Sequence, residues 1–188
     1  MRIEQLTYTI QGLSPLLLNN PRGMLAQSSA APSRQKRIPT PEEEAEGGTY
    51  RTAEGVIAVP AIAVRNAMIT AAAGFKYKTR SWKGFVSHIE IRPAELLPLF
   101  DSQERPVTEY EIDLRRAVIK GRGAVARARP RIDDWRASFT FVADTEMLPH
   151  DRPHELLKMV LADAGARIGI GDYRPEKTGW FGRFAVLE

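Results

Sequence analysis

Between Leu114 and Ile132 the chain places seven cationic side chains, Arg115, Arg116, Lys120, Arg122, Arg127, Arg129 and Arg131, with no Asp or Glu among them. Asp113 and Asp133 bracket the segment. Its middle, Gly121-Arg122-Gly123, is a turn signal between two runs of Val, Ile and Ala, so a β-hairpin or extended ribbon is expected. Alternation along a strand puts Arg127, Arg129 and Arg131 on one face, with Ala126, Ala128 and Pro130 on the other. Lined-up guanidinium groups repel one another and cannot enter a core unpaired, so folding alone supplies no reason for the pattern. A polyanion supplies one, because Arg is the better bidentate ligand for phosphate. The alternative is a solvated face whose arginines pair with acids elsewhere in the fold.

A second cationic tract, Phe75 to Lys83, interleaves Lys76, Lys78, Arg80 and Lys83 with Phe75, Tyr77 and Trp82, and no acid follows until Glu90. Rings that stack on bases beside cations that meet phosphates are the chemistry of sequence-tolerant single-strand binding. The competing reading is a loop whose rings pack onto the core. Further cations sit in a glycine-rich tail, Gly165 to Phe184, at Arg174, Lys177 and Arg183, and Arg65 is the lone cation of an alanine-rich segment. Glycines let backbone amides come close to a phosphate. Gly169-Ile170-Gly171 lacks the third glycine and the strand-to-helix placement of dinucleotide and P-loop motifs.

Catalytic chemistry is thinly represented. Of the three histidines, His88 falls in an expected strand and His150 and His154 at a helix start, where surface or capping roles fit better than catalysis. Asp113 and Asp133-Asp134 could form a carboxylate cluster, but the neighbouring arginines offer them partners. No hydrolase triad or zinc site is recognisable, and no cofactor or metal is expected. Zero cysteines exclude disulfides and thiolate chemistry.

The 188 residues fit one domain, 43% hydrophobic and 27% charged, as in a soluble globular protein. Net charge is only +4, so clustering and not the total carries the electrostatic argument. No apolar run approaches a membrane span and Met1 to Ile10 lacks a signal-peptide pattern, so a cytoplasmic location is expected.

In chain order, Arg2 to Gln11 is expected to form a strand. From Pro21 to Gly55 periodicity disappears, and this insertion divides into a basic arm with Arg22, Arg34, Lys36 and Arg37 and an acidic patch, Glu42 to Glu46. That division suits contact with nucleic acid on one side and a basic neighbouring subunit on the other. Val56 to Val59 is expected as a strand and Pro60 to Ala73 as a helix with Ile62, Ile69 and Ala73 on one stripe. Phe85 to Ile91 is expected as a strand, Pro93 to Phe100 as irregular or helical, and Val107 leads into the basic hairpin, spanning 107–132. Trp135 to Ala143 alternates clearly, with Trp135, Ala137, Phe139 and Phe141 on one face, and reads as a central strand. Pro153 to Ala164 is a helix stopped at Gly165, and Phe184 to Leu187 a last strand.

The order is a βαββαβ plan: an α+β fold with an antiparallel ferredoxin or RNA-recognition type sheet, two helices on one face and an open face able to bind single strands. Three places then resemble the RAMP superfamily of CRISPR effector proteins. They are the first strand ending in Leu13-Ser14-Pro15-Leu16, the segment Ile57 to Ala67 leading into the first helix with Ala61 and Ile62 in place of the family's usual serines, and the late glycine-rich Gly169 to Gly182. Size and plan are most similar to the subunits that polymerise along a guide RNA. The resemblance implies a single RAMP-like domain with residues 21–55 as a thumb-like projection, and an RNA groove formed partly by Ala61 to Ala67 and the glycine-rich loop. It also implies single-stranded guide RNA, a complementary target strand, head-to-tail copies and other effector subunits as partners. Some backbone relatives cut target RNA with an aspartate in the early loop; here no acid lies between Glu4 and Glu42. A non-catalytic binder is therefore expected, the alternatives being a metal-independent RNA-processing endonuclease and a phage-type single-stranded DNA-binding or structural protein.

Overall fold

β1 (Ile3–Gly12) and β10 (Arg136–Asp144) form the backbone of the fold because both alternate inward apolar and outward polar side chains. Leu6 and Ile10 on β1, and Ala137, Phe139, Phe141 and Ala143 on β10, are buried on one face. On the other, the antiparallel register sets Thr7 against Thr140 and Thr9 against Ser138, with hydroxyl hydrogen bonds of 2.9 and 2.8 Å. The computed structural model describes residues 2–23, 39–77, 79–119, 123–148 and 152–187. It is a mixed α+β protein with antiparallel sheets and a few helices.

β6 (Glu90–Arg92) and β11 (Phe184–Val186) flank the central pair, giving a four-stranded sheet ordered β11-β1-β10-β6. A second sheet, β2-β9-β8, joins β2 (Leu16–Leu17) to the basic hairpin, β8 (Glu111–Ile119) and β9 (Gly123–Ile132). Two short antiparallel pairs complete the strands: β3 (Ala58–Pro60) with β7 (Leu96–Pro98), and β4 (Lys76–Tyr77) with β5 (Arg80–Ser81). Trp135 lies where β9 hands over to β10. It is 1% exposed, its Nε1 donates to the Ser14 carbonyl at 2.9 Å, and its ring meets Phe184 edge-on at 6.5 Å. Gly12 makes room for it, since a Cβ there would lie 2.2 Å from Nε1.

Helices cover this framework. α1 (Pro41–Gly47) begins with a reciprocal capping box between Thr40 and Glu43. It lies inside the segment expected to lack regular structure, because seven residues that bury only Ala45 leave no periodicity to see. α2 (Ala61–Ala72) starts after Pro60 as expected, but buries Ala61, Val64, Ala67, Met68, Ala71 and Ala72 and leaves Ile62 52% exposed. The outward column is Ile62, Asn66 and Thr70, one helical turn apart. Arg65 does not extend to solvent but donates to the carbonyls of Ser87 and Ile89, holding the turn before β6 against the helix.

Three expected elements differ. Residues 85–91 are not one strand: α3 (Lys83–Val86) forms first, its Phe85 and Val86 amides taken by the Trp82 carbonyl, and His88 falls in the exposed turn before β6. Within 93–100 a strand, β7, appears because β3 offers it a partner. Gly165 does not stop α4 (Pro153–Asp163), which continues as a wide turn through Ile168 and ends at Gly169, φ 72°. Gly165 is small because β11 passes over it, and a Cβ would lie 2.1 Å from the Phe184 carbonyl oxygen. Among the described residues no helix is long and apolar enough to cross a membrane.

Carboxylates tie the surface elements together. Glu46 of α1 accepts from Arg51 at 2.9 Å and from the Tyr110 hydroxyl at 2.9 Å, and the Arg51 bond first, then Tyr110, holds its pKa below the ordinary 4.5. Glu4 is lowered chiefly by its hydrogen bond with His154, and Asp101 by the Arg105 amide. A lowered folded pKa adds stability that is fully present above the unfolded value and is lost as pH falls through the folded one. Urea denaturation at stepped pH is therefore expected to give constant stability above about pH 5 and a decline below the ordinary carboxylate range, partly flattened in Glu46→Gln.

Candidate nucleic-acid interface

β8 and β9 pair along the whole described hairpin, from Glu111 opposite Arg131 to Ile119 opposite Gly123, so the ribbon expected from the sequence is present. Its arginines, however, face carboxylates of the same chain. Arg115 holds Asp113, Arg127 meets Glu44 of α1 at 2.8 Å, Arg129 bonds Asp172 of the glycine-rich loop, and Arg131 bonds Asp133. Glu44 also accepts from the Ala128 amide at 3.0 Å, which is why α1 lies on β9. Arg115 stacks over Phe181 with its carbon 4.4 Å from the ring centroid, and Arg129 over Tyr173 at 5.2 Å. Residues 169–182 and α1 thus pack on the hairpin, and the described part of the 21–55 insertion lies against the sheet. The rail of guanidinium groups is an internal ion-pair network, the alternative that the sequence left open.

Removing one member should weaken the fold. Arg129 and Asp172 side chains are 14% and 29% exposed, so Arg129→Met strands a half-buried carboxylate and is expected to cost about 2 kcal/mol in a urea titration. Asp172→Asn together with Arg129→Met should recover part of that loss.

The second tract is also rearranged. Trp82 is 7% exposed and stacks on Phe75 at 5.0 Å with planes 10° apart, because both rings close the C-terminal end of α2. It is a core ring and not a platform for bases. Lys76 and Lys83 are exposed on the β4–β5 hairpin and beyond it, and no hydrogen bond or ion pair among the described residues joins this tract to the arginine hairpin. Arg34, Lys36, Arg37, Lys78, Lys120, Arg122 and His150 lie outside the described residues, as does the Arg80 side chain. Nor does the open face of the four-stranded sheet offer rings: its central strands present Gln5, Thr7, Thr9, Ser138 and Thr140.

The structure instead brings together two segments about a hundred positions apart, the start of α2 and the glycine-rich loop. They face each other across a cleft of about 550 Å³. Its floor is Ala63 and Ala67, its walls the Ile62-Asn66-Thr70 column, Leu18-Asn19 after β2, and Ile168 to Asp172, and Tyr50 and Arg174 stand at its sides. Gly171, with φ 77°, turns the loop so tightly under β2 that a Cβ would sit 2.5 Å from the Leu17 carbonyl oxygen. Asp172 N–H donates to that carbonyl at 2.8 Å, while the Gly171 N–H has no partner among the described residues. Across the cleft, Pro60 gives α2 no side-chain cap and Ala61 N–H donates to Glu95, leaving the next amides of the first turn at the cleft wall. A helix start of this kind carries partial positive charge.

Arg174 donates to the Gly171 carbonyl at 3.0 Å and to Glu176 at 2.9 Å, so its guanidinium is fixed at the cleft side. Burial raises the Tyr50 phenol above the ordinary 10, and the charge of nearby Arg22 pulls it back. Lys177 is exposed in the short turn Pro175–Lys177 next to the cleft, and Arg183 donates to the Ala166 carbonyl at 3.3 Å. Arg116 is exposed on β8, away from it. Among the sequence candidates, Arg174 lines the cleft, Arg22 acts on the Tyr50 phenol at its side, and Lys177 adjoins it. Asn19, Tyr50 and Thr70 were missed, while Asn66 falls within Ala61 to Ala67, the helix entry that the resemblance implied as part of a groove. The four-residue spacing of Ile62, Asn66 and Thr70 in an otherwise alanine-rich helix was the available signal.

Among the described residues no histidine lines the cleft, whose titratable side chains are Tyr50, Asp172, Arg174 and Glu176. His154 bonds Glu4 at 2.8 Å at the far end of β1, and His88 lies beside Arg65 on the other side of α2. Asp113 and Asp133 are held by arginines, and Asp134 accepts from Ser102 at 2.6 Å. Among the described residues no three potential metal ligands converge. Searches of the sequence against models of known protein families and against curated proteins find no match.

Proposed function

We propose that this chain binds a single-stranded polynucleotide, without cutting it, in the cleft between the start of α2 and the glycine-rich loop. The observation that carries the reading is that convergence: a helix start, a free glycine amide, exposed Asn19 and Asn66, and the Tyr50 ring line one open channel with Arg22 and Arg174 beside it. Backbone amides and a helix start meet phosphate oxygens, and a half-buried ring offers a face to a base. The strand order β11-β1-β10-β6, with α2 leading to β6 and α4 to β11, supports a ferredoxin-type reading of the main sheet. Together with the resemblance to the RAMP superfamily, it supports a role as a backbone subunit set along a guide RNA beside further copies of itself and other effector proteins. The contacts available are to phosphate and ring faces, so binding is sequence-tolerant.

Two readouts test this. Protein purified without nuclease should carry nucleic acid, visible as a raised ratio of absorbance at 260 to 280 nm. Anisotropy with a labelled oligouridylate should show affinity falling linearly in a logarithmic salt plot, with a shallow slope of about 2 to 3, because few cations adjoin the cleft and Arg174 is already paired with Glu176. Affinity for duplex equal to that for the single strand would count against the cleft.

A further inference from the structure

β8 is an edge strand. β9 pairs with one of its sides, and among the described residues no backbone group of β8 bonds to anything else. Edge strands are ordinarily shortened, covered or blunted, since their unpaired amides and carbonyls are templates for another strand. This one is nine residues long and exposes Ile112 (40%) and Leu114 (61%) on the face where α1 lies mainly over the β9 column and touches β8 less. Nothing in the ligand cleft accounts for it: β2, at the opposite edge of the same sheet, borders the cleft through Leu18 and Asn19.

We infer that two copies of this chain join edge to edge through β8, antiparallel about a two-fold axis at Leu114, making one continuous sheet. In an antiparallel pair, residues that turn their amide and carbonyl outward meet one another, and these are alternate residues of the strand. Only registers that set even opposite even and odd opposite odd positions are therefore allowed. All of them keep Ile112, Leu114 and Arg116 on one face of the joined sheet.

Charge selects among them. An axis at Ile112 opposes Glu111 to Asp113 twice; one at Asp113 opposes two carboxylates; those at Arg115 and Arg116 oppose two guanidinium groups. With the axis at Leu114, Leu114 meets Leu114, the stem of each Arg116 lies over an Ile112, and each Asp113 meets the second copy's Arg115. Since Asp113 already holds its own Arg115, the joined sheet carries a ring of two carboxylates and two guanidinium groups. Asp113, with an 8% exposed side chain, and Phe181 beneath Arg115 keep that ring out of bulk water. The same-patch contact closes on itself and stops at two copies. Both clefts stay open, so the inference does not depend on what the cleft binds.

The chain has no cysteine, which makes the register directly readable. Opposed residues of paired strands are close enough for a disulfide, whereas Ile112 and its copy in this register are several residues out of line. Sedimentation of the wild-type chain is expected to show a dimer, and Leu114→Lys, at an exposed site, a monomer with unchanged circular dichroism. Under oxidised glutathione, Leu114→Cys should form a covalent dimer at least tenfold faster than Ile112→Cys. A wild-type monomer at every concentration, a dimer untouched by Leu114→Lys, or equal cross-linking of the two cysteine variants would overturn the proposal.

Discussion

Replacing Asn19 and Asn66 together by glutamate is expected to weaken binding of a single-stranded oligonucleotide by at least about tenfold, or roughly 1.4 kcal/mol. Both side chains are exposed, so folding should not suffer. They stand on different elements on either side of the cleft, Asn19 just past β2 and Asn66 in the middle of the outward column of α2. Two carboxylates there repel phosphates from both walls and remove amide donors at the same time. The loss should shrink at high salt, because screening weakens the repulsion more than it weakens ring stacking. Matched anisotropy titrations at low and high salt, with thermal melts as the folding control, check all three parts. Glutamates at Arg127 and Arg131 would make a poor comparison, since those residues already hold Glu44 and Asp133 and their reversal attacks the fold.

The second large effect concerns stability. Trp135→Ala is expected to cost about 3–5 kcal/mol. Its indole fills the junction between the sheets, edge-on to Phe184, with Gly12 cleared beneath it. Its Nε1 is the donor to the Ser14 carbonyl in the turn that carries the chain from β1 to β2. Truncation leaves a ring-sized cavity and an unsatisfied carbonyl. The loss should also loosen β2 and the glycine-rich loop that hangs on the Leu17 carbonyl. Trp135→Phe should lie well short of the alanine cost, having lost chiefly the hydrogen bond. Urea midpoints at a constant m-value give both numbers.

These two sites show what could be read in the chain beforehand. The central strand around Phe139 and Phe141, the helix opening at Pro60 and the pairing of β8 with β9 were legible, because period-two alternation, a Pro-initiated alanine run and two β-prone runs either side of a glycine signal are local features. α1 was not legible, since its seven residues bury only Ala45 and leave no apolar stripe. The partners of Arg115 and Arg131 were in view as the bracketing Asp113 and Asp133, but those of Arg127 and Arg129 were not: Glu44 and Asp172 lie 83 and 43 positions away, and sequence separation says nothing of such pairs. A run of like charges looked like a waiting surface because two of its counter-charges lay in distant segments, α1 and the glycine-rich loop. The cleft was in view only through the resemblance, which implied a groove of Ala61 to Ala67 and the glycine-rich loop; spacing and composition did not show it, since Asn66 and Gly171 acquire meaning only when α2 and the last loop come together. Trp82 misled in the opposite sense, as aromatic rings between lysines suggest stacking on bases until Phe75 is seen to take that face.

The most direct test of the cleft is photo-crosslinking of a 4-thiouridine oligonucleotide to the wild-type protein, with the modified peptides mapped by mass spectrometry. Adducts are predicted on Tyr50 and within residues 169–176, and they should disappear in the Asn19→Glu, Asn66→Glu double variant. Adducts confined to the exposed Thr and Ser face of the four-stranded sheet or to the arginine hairpin, with none at Tyr50 or the glycine-rich loop, would contradict the account.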